Sequence, residues 1–314
     1  MCPAYHANPS IDAPEPQRGF ALLLVIWVLA LLALLAAGVA ADTSSETVIT
    51  RSHLDIASAR DAADSGVSLA ILGLLDPDPT KHLPADGRET SFRFGNRTVA
   101  VSIADESGKI DLNSAPSELI AGLADELGME ASDRDALLAG IAARRETFTK
   151  LVGNPALFSS PLFSSIGGAD PGGLGTQPFA DTSEIESLPG LPRGAAARLL
   201  PYLTVYSQRP TINPLTAPRE ALLAVPGISP EEVDFFFTAR YQTNFEKPAL
   251  SGVDRYIGVT PMRAVTVTAK ARSGTASFTR EAVVLISGNL PTGPYRILRW
   301  QQPREAPPSP AVAS

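Results

Sequence analysis

Few residues in this 314-residue chain have the types and spacing that catalysis needs. Asp105 and Glu106 are candidates for an acid–base pair, but neighbouring side chains of a strand point to opposite faces of a sheet. The sequence contains neither a histidine beside a serine nucleophile motif nor a phosphate-binding loop. We therefore predict a protein that is not an enzyme, with no catalytic residues and no small-molecule substrate.

Metal ligands are also sparse in the sequence. The three histidines have no spacing typical of zinc sites, and Cys2 is the only cysteine, so no intramolecular disulfide can form. Asp170, Asp181 and Glu184 flank a glycine-rich stretch, and oxygen-rich loops of this kind suit calcium. Such loops are also common as plain turns. No cofactor and no firm metal ligand is predicted, and calcium stays open as the one candidate.

The strongest signal is an apolar segment, residues 20–41, that contains no charged residue. At about 1.5 Å per residue, a helix of this length spans the roughly 30 Å of hydrocarbon in a bilayer, so we predict a transmembrane helix. A cleaved signal peptide is the alternative, with Gly38–Ala41 as a loose cleavage site, but its apolar region is usually shorter. Arg18 precedes the segment and Asp42 follows it. This charge difference places the N-terminus in the cytoplasm.

The helical pattern continues beyond the apolar segment. Apolar residues recur every three or four positions from Val48 to Leu74, with no proline between them. Asp76–Pro79 ends the pattern, because a residue before proline disfavours the helical conformation. We therefore predict one helix over about residues 20–75, apolar on all sides in its first half and amphipathic in its second.

Five strands are predicted, in two groups separated by a long middle region. They cover residues 91–94, 97–103, 264–271, 275–286 and 295–300. Gly95-Asn96 is a two-residue hairpin turn, and a second turn is predicted at Arg272–Gly274. Neither hairpin is stable alone in water, so we expect one antiparallel sheet with the long helix on one face. Residues 106–258 would then be an insertion in this sheet.

The insertion has a helical pattern. Residues 116–127 and 133–147 carry apolar residues at three- and four-residue intervals. Ser183–Leu191 and Arg219–Ile228 each end in Pro-Gly and an aliphatic residue, and each precedes another predicted helix. Those second helices are residues 194–200 and 230–241. The pattern resembles helix–hairpin–helix, or sterile-alpha-motif-like (SAM-like), units.

A short motif precedes helices at two places, Ile110–Ala115 and Ile212–Ala217, and it predicts an internal repeat of about 100 residues. Helix–hairpin–helix units often bind DNA through backbone N–H groups of a Gly-x-Gly turn. Here both turns, Pro189–Pro192 and Pro226–Ser229, lack the second glycine, and the chain carries a net charge of −7. Because acidic surfaces repel phosphates, we predict contacts with proteins and not with nucleic acid.

The start of the apolar segment resembles the type IV pilin leader junction. Arg18-Gly19-Phe20 is followed directly by the apolar run. The resemblance implies that a prepilin peptidase cuts between Gly19 and Phe20 and that Phe20 becomes N-methylated. Most members carry glutamate at the fifth position after the cut, where this chain has Leu24. The well-known class with this departure is the K-type (GspK family) minor pseudopilin of type II secretion, which Asp105–Asn113 also resembles.

This resemblance implies a tip subunit of the pseudopilus that initiates assembly and controls length during protein secretion across the outer membrane. The expected partners are the I- and J-type minor pseudopilins, the prepilin peptidase and the inner-membrane assembly platform. The protein would be a single-pass inner-membrane protein with a cytoplasmic N-terminus and a periplasmic soluble domain, in a class associated with calcium. The alternatives are a minor pilin of a type IV pilus, a membrane-anchored DNA receptor and a signal-anchored scaffold without assembly partners.

The predicted fold class is α+β: a long N-terminal transmembrane, pilin-like helix packed on an antiparallel sheet, with a large inserted helical domain. The predicted segments are a leader (1–19), a transmembrane helix (20–41), a pilin-like helix with the first hairpin (42–105), an inserted domain of two SAM-like repeats (106–258), strands completing the sheet (259–300) and a disordered tail (301–314).

Overall fold

The computed structural model describes residues 18–78, 82–94, 97–152, 177–240, 253–259, 261–290 and 293–303. The chain divides into two compact units, Met1–Ala57 and Ser58–Ser314. Helices and an antiparallel sheet together make an α+β architecture, which confirms the predicted class.

The first helix, α1, runs from Arg18 to Leu74, close to the predicted bounds. In the second unit its apolar residues are buried at three- and four-residue steps, as an amphipathic pattern requires. These residues are Ala59, Ala62, Ala63, Val67, Ala70, Ile71 and Leu74. Most of them are small, so the helix lies close to the sheet, and the Cβ of a side chain at Gly66 would come within 2.7 Å of Val99.

Five strands form the main sheet, and two shorter strands form a parallel pair. They are β1 (Asp86–Phe94), β2 (Arg97–Asp105), β3 (Ile110–Asp111), β4 (Leu203–Thr204), β5 (Ala264–Ser273), β6 (Ala276–Leu290) and β7 (Gly293–Gln301). The main sheet has the order β1-β2-β5-β6-β7, and every neighbouring pair is antiparallel. Since β2 pairs directly with β5, everything between Asp105 and Ala264 is inserted between two adjacent strands.

The strands are longer than predicted. β1 begins at Asp86, where polar residues give little sequence signal but pair with β2. The second turn is Gly274-Thr275, which overlaps the predicted turn Arg272–Gly274 at Gly274, whose φ of 56° suits glycine. The predicted turn at Gly95-Asn96 lies outside the described residues.

Both faces of the main sheet are apolar at its centre. Ala282 and Val284 of β6 face α1, whereas Val283 and Leu285 belong to the core of the insertion. A strand buried on both faces has a continuous apolar sequence, which explains the composition of β6. The sheet therefore separates two hydrophobic cores, one shared with α1 and one shared with the insertion.

The insertion contains four α-helices in its described part. They are α2 (Ser117–Glu126), α3 (Ala131–Val152), α4 (Arg219–Leu223) and α5 (Pro230–Ala239). α2 and α3 meet at Gly128, and α4 and α5 meet at Gly227; both glycines have positive φ, 68° and 88°. Each pair is a helical hairpin whose turn requires a left-handed residue.

One predicted hairpin is wrong. Residues 183–191 contain a 3₁₀ helix, Thr182–Ser187, and residues 194–200 form consecutive turns and not an α-helix. Gly194 has a φ of 80°, and Pro201 follows directly, so neither end of this segment supports an α-helix. The first hairpin is instead α2–α3, which lies earlier in the chain.

The two copies of the short motif form matching turns. The N–H of Ala115 donates to the carbonyl of Asp111, and the N–H of Ala217 donates to the carbonyl of Asn213, both at 2.9 Å. The helices that follow, α2 and α4, touch where Gly122 meets Ala224. A Cβ at position 122 would lie 2.1 Å from the carbonyl oxygen of Ala224, so only glycine fits.

We expect Gly122→Ala to lower the free energy of unfolding by about 2–3 kcal/mol, because the added methyl group must push α2 and α4 apart. Urea unfolding of the full chain in detergent, followed by circular dichroism, measures this change. Gly73→Ala is the matched control, since nothing lies within 4 Å of its added Cβ. We expect the control to gain up to about 1 kcal/mol of stability from helix propensity. Equal effects of the two substitutions would contradict the close contact.

Candidate functional site

The first half of α1 exposes large apolar side chains around its whole circumference. Leu24, at the position where most pilins carry glutamate, is 53% exposed, and Trp27 is 72% exposed. The other exposed residues are Leu22, Leu23, Val25, Ile26, Val28, Leu29, Leu31, Leu32, Leu34 and Leu35. A contiguous apolar surface of this kind is unfavourable in water and marks a contact site.

The predicted processing residues, Gly19 and Phe20, lie in the first turn of α1, and the side chain of Phe20 is outside the described part of the structure. Across the described residues, no helix combines the length and the apolar character needed to cross a membrane.

The predicted acid–base candidates lie where the main sheet joins the insertion, and both are buried. Asp105 is the last residue of β2, and its carboxylate accepts hydrogen bonds from the N–H and the hydroxyl of Ser107, at 2.9 and 2.7 Å. It therefore caps the short 3₁₀ turn Glu106–Gly108.

The Glu106 carboxylate connects three parts of the chain. One oxygen accepts from the ammonium of Lys109 and from the hydroxyl of Thr266 on β5, both at 2.6 Å. The other oxygen accepts from the hydroxyl of Thr204 on β4. Because every one of these groups comes from a different element, this single side chain joins the sheet to the insertion.

Asp111 organises the next turn. One carboxylate oxygen accepts from the N–H groups of Asn113 and Ser114, at 2.9 and 3.0 Å. The other accepts from the hydroxyl of Ser207 and the N–H of Gln208, at 3.0 and 2.8 Å. Asp111 thereby fixes the chain that leads into α2 against the chain that follows β4.

We call Asp105, Glu106, Ser107 and Asp111 with their partners the polar joint. Its carboxylates serve as acceptors for donors of the protein itself, as buried charges require. The sequence reveals the acidic residues but not the partners Thr204 and Thr266, because a single threonine in a strand carries no signal.

The acidic residues near the glycine-rich stretch have protein partners. Asp181 and Glu184 form a capping box at the 3₁₀ helix Thr182–Ser187. Asp181 also contacts Arg299 of β7 at 2.7 Å, and Glu184 pairs with Arg144 of α3. Burial favours a higher pKa for the Asp181 carboxyl. The hydrogen bonds from Ser183 and the interaction with Arg299 outweigh this effect, so the pKa lies below its ordinary value.

The calcium candidate is not assembled in the described part of the structure, where no group of three or more metal-ligating side chains occurs. The third predicted residue, Asp170, lies outside the described residues. Calcium therefore stays a prediction without an identified set of ligands.

The turn between α4 and α5 carries an acidic group where a DNA-binding unit would hold a phosphate. At the start of α5, the Ser229 hydroxyl accepts from the N–H of Glu232, while the Glu232 carboxylate accepts from the N–H of Ser229. The chain's own carboxylate occupies this helix terminus, which disfavours a phosphate there.

A long N-terminal helix on one face of an antiparallel sheet is the architecture that the sequence resemblance predicted for a pilin-type protein. The described part of the chain has this architecture, with a large insertion between β2 and β5.

The chain is 27% identical to the type II secretion system protein K of Klebsiella pneumoniae over an alignment of 231 residues, and the match covers 66% of this chain and 69% of that protein. Its fold matches a chain in the crystal structure of the GspK–GspI–GspJ complex from enterotoxigenic Escherichia coli, with a TM-score of 0.52 and 19% identity. That match covers 81% of this chain and 99% of the other. No protein-family model matches the sequence. The two similarities confirm the predicted resemblance to K-type minor pseudopilins.

We predict a pH dependence from Asp105. Burial raises the pKa of its carboxyl above the ordinary 3.8; the Ser107 hydrogen bonds oppose this rise, and the neighbouring Glu106 adds to it. A carboxyl whose pKa is higher in the folded state contributes stability that is fully present below pH 3.8 and is lost as pH rises through the folded-state pKa.

We therefore expect the free energy of unfolding of the wild type, relative to Asp105→Asn, to fall as the pH is raised from about 4 to about 7. The asparagine keeps an acceptor for the Ser107 N–H and does not titrate. Urea unfolding of both proteins across this range gives the difference, and a difference independent of pH would refute the assignment.

Proposed function

We propose that this protein is the K-type minor pseudopilin of a type II secretion system, located at the tip of the pseudopilus. It initiates assembly and limits length, and it acts as a structural subunit without catalysis. The single observation that supports this most strongly is Leu24: an exposed apolar residue in the uncharged stretch 20–41 of α1, at the position where most subunits of this class carry a carboxylate.

The apolar half of α1 is the proposed inner-membrane anchor. Residues 20–41 contain no charge, and the exposed side chains from Leu22 to Leu35 have no polar face to turn toward water. The prepilin peptidase would cut after Gly19 on the cytoplasmic side and methylate Phe20. The chain would then cross the membrane once, with its soluble part in the periplasm.

Leu24 gives this subunit its place in the stack. A glutamate there would neutralise the N-terminal amine of an adjacent subunit, and an unpaired carboxylate in lipid is costly. A subunit with leucine avoids that cost but provides no carboxylate for a subunit above it. It is therefore suited to the end of the assembly, where no subunit follows.

The proposed partners are the I- and J-type minor pseudopilins, the prepilin peptidase and the inner-membrane assembly platform. Support for the first two is the fold match to a chain of the GspK–GspI–GspJ complex. The insertion, proposed as a SAM-like helical domain between β2 and β5, would lie at the outer end of the tip and contact other proteins of the secretion machinery.

Replacing Gly19 with leucine should block leader removal, because a peptidase that cuts after glycine must accommodate a larger side chain. Intact-mass spectrometry of the protein purified from cells with the peptidase should show the uncut precursor. Gly38→Leu is the matched control, since it alters the loose signal-peptidase site and leaves the junction at Gly19 intact. Removal of residues 1–19 from the Gly19 variant would exclude the proposed processing.

Replacing Leu24 with glutamate should lengthen the pseudopili, because the subunit would gain the carboxylate that accepts a further subunit. Electron microscopy of cells that overproduce the major pseudopilin measures the lengths. Leu23→Glu adds the same charge one position away and should not lengthen them. If Leu24→Glu left the length distribution unchanged, the tip assignment would lose its basis.

A further inference from the structure

Three exposed residues on neighbouring strands form a row across one end of the main sheet. Arg93 of β1 pairs with Thr98 of β2. Val99, which follows Thr98, pairs with Ala271 of β5, and the antiparallel register therefore places Arg272 beside Thr98. Val99 and Ala271 are buried beneath α1. Because side chains alternate along a strand, the row lies on the opposite face of the sheet, and all three of its residues are exposed. We call Arg93, Thr98 and Arg272 the arginine row.

The insertion covers the other end of this face. Its core includes Ala264 at the start of β5, together with Val283 and Leu285 of β6. At the end of β5, by contrast, the side chains of Lys270 and Arg272 are exposed. The arginine row is therefore accessible to another molecule.

An ion pair close to the arginine row shows how side chains meet across β2. The carboxylate of Glu89 on β1 contacts the ammonium of Lys270 on β5 at 2.7 Å. β2 lies between these two strands, and its residues at this place, Ala100 and Ser102, are small. Side chains from β1 and β5 therefore reach each other above β2, although their strands are about 10 Å apart.

The arginine row has the same spacing but carries two cations. Arg93 and Arg272 flank Thr98, and within the described residues neither guanidinium has an ion-pair partner. By contrast, Arg219 and Arg255 of the insertion each pair with a carboxylate, at 2.8 and 3.0 Å. A carboxylate above Thr98 would accept hydrogen bonds from both guanidiniums of the row, which repel each other without it.

We propose that the arginine row binds an acidic segment of a neighbouring pilin-type subunit, with one carboxylate held between the two guanidiniums. The row is a local cationic site on a chain with a net charge of −7, so a partner carboxylate is attracted to this place and repelled by much of the remaining surface. A lipid surface fits less well, because adsorption to anionic lipid takes a larger cluster of cations. This inference rests on the proposed function, since it requires a partner subunit.

Site-specific photo-crosslinking tests the location. Benzoylphenylalanine replaces Thr98 in the full chain, which is co-expressed with the full-length I- and J-type subunits and purified in detergent. We expect crosslinks to a segment of one of these subunits that contains aspartate or glutamate, and mass spectrometry of the crosslinked peptides identifies it. The same group at Phe235, which is 63% exposed on α5, should give no crosslink to that segment.

Affinity measurements test the chemistry. Arg93→Glu/Arg272→Glu should weaken the association with the partner subunits by about tenfold or more, because the partner's carboxylate would face two like charges. Arg219→Glu/Arg255→Glu is the matched control: it changes the net charge equally but lies on the insertion, and it should change the affinity less than about twofold. Replacing the crosslinked acidic residue of the partner with arginine should restore the affinity of the Arg93→Glu/Arg272→Glu variant. Circular dichroism checks that both variants are folded.

The outcomes separate this inference from the proposed function. If the three proteins co-purify but position 98 crosslinks to neither subunit, or only to a segment without a carboxylate, the arginine row is not the site and the proposed function stands. An unchanged affinity of the folded Arg93→Glu/Arg272→Glu variant would overturn the inference in the same way. If the proteins do not associate at all, the proposed function fails, and this inference with it.

Discussion

The position of the insertion depends on one buried carboxylate. Glu106 accepts hydrogen bonds from Lys109, from Thr204 and from Thr266, and these residues belong to the turn after β2, to β4 and to β5. Removing one partner from a buried charge costs about 3–5 kcal/mol, more than most single apolar contacts provide. An apolar contact would allow sliding, whereas these directional bonds fix one geometry for the sheet and the insertion.

The elements with a strong repeating pattern could be predicted from the sequence. The bounds of α1 follow from its periodicity and from Pro77, and the alternation of Val99, Val101 and Ile103 correctly identified the buried face of β2. The 3₁₀ helix and the turns between Thr182 and Tyr202 could not be predicted. The apolar spacing of this segment is typical of an α-helix, but its prolines and glycines interrupt that helix. The acidic members of the polar joint stood out in the sequence, but their hydroxyl partners lie far along the chain.

The two hydrophobic cores have different tasks in the proposed function. The core beneath α1 is built mainly from alanine, valine and one close glycine, so the helix and the sheet form a thin, closely packed unit. The core of the insertion uses larger side chains, including Phe179 and Phe236. A compact base beside neighbouring subunits and a bulkier outer part suit a subunit that ends a stack.

The pairing of β2 with β5 also has a consequence for the order of folding. The ribosome synthesises α1, β1 and β2 long before β5. The edge of β2 that pairs with β5 therefore has no partner strand while the insertion is synthesised. Closing so long a loop costs entropy, and such distant contacts form slowly. If the insertion folds first around its own core and binds Glu106 through Thr204, the two ends of the loop between β2 and β5 lie closer together, and the entropy cost of closing the loop is smaller. The insertion would then act as the template on which the sheet is completed.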